Sequence, residues 1–95
     1  MDASTVLRAV LGARDPIEAL FRLVDVGAVS TLDVVQFVLD HAAGICDDFA
    51  FIVVDSRALA AVWVDGAWRI RTMSLQEALA ALAARRRLEA PLESE

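Results

Sequence analysis

The residues with the most reactive side chains lie close together in the middle of the chain. His41, Cys46, Asp47 and Asp48 fall at the predicted end of a helix and in the loop that follows it. A thiol, an imidazole and a carboxylate can form a nucleophilic site. The structural alternative is that His41 caps the helix and that Cys46, beside Ile45, is a small buried hydrophobe. We favour this alternative and expect no catalytic residue here.

Other clusters of charged residues could bind ions or phosphate. Asp47, Asp48, Asp55 and Asp65 fall at the ends of predicted strands, where they could gather around Mg²⁺ or Ca²⁺. Aspartate is also a common turn residue, which accounts for the same positions. Residues 85–87 are consecutive arginines that could bind phosphate, but cations in the last turn of a helix also offset its dipole. We therefore predict no metal site and no cofactor.

The sequence motifs of the common enzyme classes are absent. The chain contains no phosphate-binding loop, dinucleotide fingerprint, nucleophile elbow, zinc-binding helix motif or CxxC pair. It also contains no lysine and no tyrosine, which removes two side chains that often act in catalysis. We expect a protein that is not an enzyme.

Length and composition predict one folded domain. The chain has 95 residues, 58% of them hydrophobic, which is enough for a single core. Its apolar runs are shorter than the roughly 18 residues of a membrane span, and its first residues lack the basic segment of a secretory signal. We expect a cytoplasmic protein, away from membranes, with one domain at residues 1–88 and a flexible acidic tail at residues 89–95.

Charge is distributed unevenly along the chain. The net charge is −5, and residues 1–68 hold ten acidic residues and four arginines, a net of −6. Direct binding of nucleic acid by the bulk of this surface is therefore not expected. An acidic surface instead favours a basic protein partner.

Two short helices are predicted first. Residues 4–11 carry an apolar stripe behind a serine or aspartate cap, Ser4 or Asp2. Asp15 and Pro16 then provide a cap and a favourable first helical residue, and Glu18 stands where a capping box places an acid. This second helix is expected to end near Gly27.

Two further helices are predicted, one in the middle of the chain and one near its end. Ser30 starts a helix that runs to about residue 43, with Gly44 as a left-handed cap. This helix is apolar over most of its circumference, Leu32 included, so we expect it to be buried at the centre of the helical layer. Ser74 and Glu77 form a capping box for the last helix. The residues expected on its inward side are Leu75, Ala78, Leu79 and Leu82.

Between these helices the pattern predicts a three-stranded antiparallel meander. Residues 49–54 are a continuous apolar run, and residues 59–64 and 67–72 flank Asp65–Gly66, a pair typical of a type I′ hairpin turn. A second tight turn is expected at Ser56–Arg57. Helices followed by antiparallel strands and one more helix predict an α+β fold.

The hairpin register predicts which residues share each face of the sheet. Trp63 lies opposite Trp68, and we expect both rings in the core. The other face is also apolar and is bordered by arginine. Its residues include Phe49, Phe51, Val62, Val64, Arg69 and Arg71. Either the last helix covers this face, or a partner or a second copy of the chain does.

The favoured function is a small, acidic, non-enzymatic protein-binding module. The predicted contact surface is an acidic patch of Asp33, Asp40, Asp47 and Asp48, and the partner is expected to be a basic protein that handles nucleic acid. Size and charge are analogous to those of phage-type inhibitors of host defence, such as anti-CRISPR proteins, and of immunity or antitoxin proteins. The alternative is an accessory domain that forms a homodimer through the Phe49 and Phe51 face, and a small enzyme ranks third.

Overall fold

The computed structural model describes residues 3–89, without the side chains of residues 88 and 89. It confirms the α+β class. In chain order the elements are α1 (Ala3–Val10), α2 (Pro16–Asp25), α3 (Thr31–Asp40), β1 (Gly44–Cys46), β2 (Phe49–Val54), β3 (Arg57–Val64), β4 (Ala67–Ser74) and α4 (Leu75–Glu89). Of the predicted tail, residues 90–95 lie outside the described residues. Within the described part, no helix combines the length and apolarity needed to cross a membrane.

The predicted N-caps of α2, α3 and α4 are in place, whereas Ser4, a predicted cap of the first helix, lies inside α1 as its second residue, and Asp2, the other candidate, lies outside the described residues. The Asp15 carboxylate accepts the Glu18 N–H, and Ser30 and Asp33 form a reciprocal capping box at the start of α3. At α4 the Ser74 N–H donates to the Glu77 carboxylate, and the Glu77 N–H donates to the Ser74 hydroxyl, both at 3.0 Å. The pKa of Glu77 is lowered first by the hydrogen bond that its carboxylate accepts from the Ser74 backbone, then by hydrogen bonding to the Ser74 side chain and by attraction to Arg71.

The sheet has four strands, one more than predicted. Gly44 has no left-handed conformation and does not cap α3, which ends at Asp40; it begins β1 and lies opposite Phe51. A Cβ at Gly44 would lie 2.6 Å from a methyl carbon of Leu82 and 2.7 Å from the Phe51 ring. Glycine is therefore required for packing rather than for backbone conformation. A strand of three residues is too short for its alternation to be recognised in the sequence.

The meander runs β1-β2-β3-β4, with every neighbouring pair antiparallel. Asp65 and Gly66 both have positive φ, at 53° and 81°, and Trp63 lies opposite Trp68 as predicted. The β2–β3 turn is Asp55–Ser56 rather than Ser56–Arg57. The pairing register shifts by two residues as a result, and a shift of two leaves every side chain on its predicted face.

Helices cover both faces of the sheet. α3 packs on the face that carries Ile52, Leu59 and Ala61 and also contacts α1, and α1 and α2 contribute side chains to the core on this side of the sheet. α4 packs on the other face. The residues buried there are Phe49, Phe51, Ala58, Ala60, Val62, Ala78 and Leu82. The last helix therefore covers the second apolar face within the chain itself.

On the helices, two apolar residues predicted to face inward are exposed. The buried side of α3 is centred on Val34 and Val38, and Leu32 projects from the opposite side. On α4, Ala78 and Leu82 touch the sheet, and Leu79 lies one residue further round the helix and is exposed. α3 packs against both α1 and the sheet, and α4 packs against the sheet; in each helix the side away from these neighbours is exposed.

Candidate protein-binding surfaces

Two of the three hairpin turns lie at the same end of the sheet. In a meander, alternate turns fall at the same end, so Asp47–Asp48 between β1 and β2 shares an end with Asp65–Gly66 between β3 and β4. The Trp63 N–H donates to the Asp48 carbonyl at 2.9 Å and links this end of β3 to the first turn. We call Asp47, Asp48, Asp65 and Trp63 the acidic end.

Trp63 is the most exposed aromatic feature of this end. Its ring meets Trp68 edge-on, with 5.5 Å between ring centroids and 73° between ring planes. Trp68 packs against the core beneath the helices, but Trp63 is 46% exposed. The prediction that both rings lie in the core is wrong for Trp63. Along β3 the run of buried residues ends at Val62, and Trp63 lies in the second-to-last residue pair before the turn.

Asp48 has a cationic partner from the other side of the sheet. The Arg85 guanidinium of α4 donates to the Asp48 carboxylate at 3.1 Å and lies 4.7 Å from the centre of the Phe49 ring. Such a contact combines an ion pair with a cation–π interaction. Arg85 is therefore held in place by the fold, and the three arginines of residues 85–87 do not act as one uniform phosphate-binding group.

The predicted acidic patch is divided between two places. Asp33 and Asp40 line a cleft of about 110 Å³ beside α1, together with Phe37, and neither Asp47 nor Asp48 borders that cleft. The Asp33 carboxylate accepts the Ser30 N–H at 3.0 Å, and the Asp40 carboxylate accepts from the Gln36 amide at 2.8 Å. Within residues 3–87, no three His, Cys, Asp or Glu side chains are grouped to hold a metal ion.

His41 and Cys46 lie in different parts of the molecule, His41 exposed at the end of α3 and Cys46 beneath α4. The His41 ring nitrogen Nδ1 lies 3.0 Å from the Phe37 carbonyl and must donate to it, which leaves Nε2, 3.3 Å from Arg8, as an acceptor. The imidazole also stacks on Phe37, with 4.4 Å between centroids. Cys46 is half-buried in the core under α4. His41 is thus the C-cap of α3, as predicted, and Cys46 packs against apolar side chains but is less buried than predicted.

The alternative interface is largely inside the molecule. Phe49 and Phe51 are each 1% exposed and Val62 is 6% exposed, all three beneath α4. Arg69 and Arg71, by contrast, are exposed on β4. A partner could reach the apolar centre of this face only after α4 is displaced.

Comparison with known proteins finds no match for the chain, whether among protein-family models, curated proteins or solved structures. Trp63 is the surface residue that the sequence analysis missed. One signal points to it: the residue pairs next to a hairpin turn lie near the end of the sheet, where a covering layer often stops.

Proposed function

We propose that this protein is a small, non-catalytic binding module whose acidic end docks on a basic surface of another protein. The observation that carries the proposal is the 46% exposure of Trp63 among the carboxylates of the two turns. Exposure of a large aromatic side chain to water is unfavourable in free energy, and tryptophan is enriched among the residues that contribute most to binding energy.

The exposed indole and its neighbours suit a cationic ligand. Arginine and lysine stack on the face of tryptophan, and this attraction is stronger for tryptophan than for the other aromatic rings. Trp63 is held by Trp68 on one side and by its backbone hydrogen bond to Asp48. A rigid aromatic side chain loses little conformational entropy when it binds.

The carboxylates supply the second element of recognition. Asp47 and Asp65 lie in turns at this end, and the chain as a whole carries a net charge of −5. Charges at the rim of an interface mainly speed the encounter with a partner of opposite sign. A basic protein that handles nucleic acid has such a surface, and occupying it would block that protein from its substrate.

This mode of action matches an inhibitor. Phage-type anti-defence proteins, anti-CRISPR proteins among them, and immunity or antitoxin proteins are small and act by covering a partner's working surface. By analogy of size and charge, we assign this chain to that functional class, with its site of action in the cytoplasm.

A fluorescence titration tests the proposal directly. The chain has two tryptophans and no tyrosine, so its intrinsic emission reports on Trp63 and Trp68 alone. A decaarginine peptide added at low salt should change the emission, and Trp63→Phe should remove most of that change. Raising salt from about 0.05 M to 0.5 M should weaken the complex, because screening shortens the reach of the charges.

Two matched pairs of substitutions locate the binding surface. Asp47→Asn with Asp65→Asn removes two charges from the acidic end, and Asn tolerates the positive φ of Asp65. Asp33→Asn with Asp40→Asn removes two charges from the cleft beside α1. The first pair should reduce decaarginine affinity several-fold more than the second. Equal effects, or a larger effect of the second pair, would show that the acidic end is not the binding site and would favour the cleft beside α1.

A further inference from the structure

Among residues 3–89, the outer edge of β4 has backbone groups without hydrogen-bond partners. The pair Val64 and Ala67 closes the hairpin turn, so the N–H and C=O groups of odd-numbered β4 residues point toward β3. Those of Trp68, Ile70 and Thr72 point away from the sheet. Within the described residues, no hydrogen bond outside the strand ladders involves these groups, and β4 is the last strand of the sheet.

The side chains of this edge alternate in character. Trp68, Ile70 and Thr72 are half-buried on the side of α1–α3, whereas Arg69 and Arg71 are exposed on the side of α4. β4 has eight residues, a long edge for a protein of this size. An open edge of this length can accept another strand through its main-chain groups.

A second copy of the chain does not fit this edge. Two β4 strands pairing antiparallel must align even-numbered residues with even-numbered ones, because these carry the outward groups. Registers centred on Arg69, Ile70 or Arg71 then place Arg69 or Arg71 directly opposite an arginine of the other copy. Like charges in directly opposed positions destabilise the pairing.

We propose that the outer edge of β4 binds an extended, acidic segment of a partner protein, which adds to the sheet as a fifth strand. Acidic side chains at alternate positions lie opposite Arg69 and Arg71, and apolar side chains between them lie beside Trp68 and Ile70. The main-chain hydrogen bonds provide affinity, and the arginines select the charge of the segment. This surface takes ligands of opposite charge to the acidic end and does not depend on it.

A designed peptide tests the edge. The probe is an acetylated and amidated peptide as long as β4 in which glutamate alternates with valine, and its control has lysine in place of glutamate. On binding, amide hydrogen exchange should slow at Trp68, Ile70 and Thr72, with little change at Arg69 and Arg71, whose N–H groups already bond to β3. Equal binding of the lysine peptide, or unchanged exchange at the three outward amides, would overturn the proposal.

Charge removal gives the matched control. Arg69→Gln with Arg71→Gln should weaken binding of the glutamate peptide about tenfold, since two cross-strand ion pairs are lost. Arg57→Gln removes an exposed arginine from β3 and should leave affinity unchanged. If Arg57→Gln weakens binding as much, the attraction is general and the edge is not the site. These results do not depend on the acidic end: they are expected even if decaarginine does not bind there.

Self-association tests the register argument separately. In the register centred on Ile70, Arg69→Glu places each new glutamate opposite Arg71 of the other copy. Sedimentation should therefore show the wild type as a monomer and the Arg69→Glu protein dimerising at least about tenfold more strongly. Adding Arg71→Glu should restore the monomer. If the wild type is instead a dimer and Ile70→Pro disrupts it by removing an outward N–H, the segment that binds this edge is a second copy of the chain and not an acidic segment of another protein.

Discussion

The core beneath α1–α3 and the core beneath α4 are built differently. Three helices contribute large branched side chains to the first, such as Leu7, Leu20 and Val38. A single helix contributes to the second, and it touches the sheet through Ala78 and Leu82. Alanines at 58 and 60 on the strand side allow the close approach.

This difference predicts a difference in how the two cores tolerate change. Many side chains fill the core under α1–α3, so neighbouring side chains can partly fill the space left when one of them is truncated. Under α4, the attachment of a whole helix depends on a few close contacts around Phe49, Phe51 and Gly44. We expect α4 to be the region that separates first from the sheet when the protein is perturbed.

The largest expected effect is that of Phe51→Ala. Loss of this fully buried ring should lower the free energy of unfolding by about 3 to 5 kcal/mol, the usual range for a phenylalanine in a core. Urea denaturation measures the loss. Amide exchange should accelerate far more in α4 than in α1–α3, whereas Leu20→Ala should do the reverse. Uniform acceleration in both variants would show that the two cores unfold together.

A smaller loss is expected from Gly44→Ala. The added Cβ meets Leu82 and Phe51 at under 3 Å, and such overpacking costs about 1 to 3 kcal/mol. Gly12→Ala is the control, because its Cβ would meet only a backbone oxygen at 3.5 Å and should change stability by less than about 0.5 kcal/mol. Leu82→Ala should cost less in the Gly44→Ala background than alone. Additive losses would contradict the contact.

The two tryptophans should differ although they are paired. Trp68→Ala removes a ring that packs against the core under α1–α3, and its cost should approach the roughly 3 kcal/mol typical of buried tryptophan. Trp63→Ala removes a half-exposed ring and should cost about 1 kcal/mol. Thermal unfolding of both variants checks the order. A loss at Trp63 equal to that at Trp68 would mean that Trp63 serves stability rather than binding.

The smallest effect concerns the pH dependence of the α4 cap. The folded-state pKa of Glu77 lies below its ordinary value of 4.5, so the stabilisation is present above about that pH and is lost as pH falls through the lowered pKa. Glu77→Gln should therefore flatten the acid side of the stability profile slightly. In a Ser74→Ala background, Glu77→Gln should change the pH dependence of stability very little. An equally large change in that background would show that the Ser74–Glu77 cap is not the source of the pH dependence.

Local chemistry made much of this fold predictable from sequence. Asp15, Ser30 and Ser74 start helices because their side chains satisfy backbone N–H groups within three residues along the chain. Asp65–Gly66 specifies the β3–β4 register because only residues that tolerate positive φ fit its turn. The period of two in the strands then assigns each side chain to a face, even where a turn was placed incorrectly.

Other features were decided by tertiary structure alone. β1 forms because Gly44–Cys46 can pair with β2 while Gly44 leaves space for Leu82, a residue 38 positions later in the chain. The exposure of Trp63 and Leu32 depends on which part of the sheet and which side of α3 the other elements cover, and the Asp48–Arg85 ion pair joins residues that are 37 positions apart in the sequence. Caps, turns and alternation are short-range properties that a few neighbouring residues determine. Which surfaces remain open depends on how whole layers meet, and that is settled only when the chain has folded.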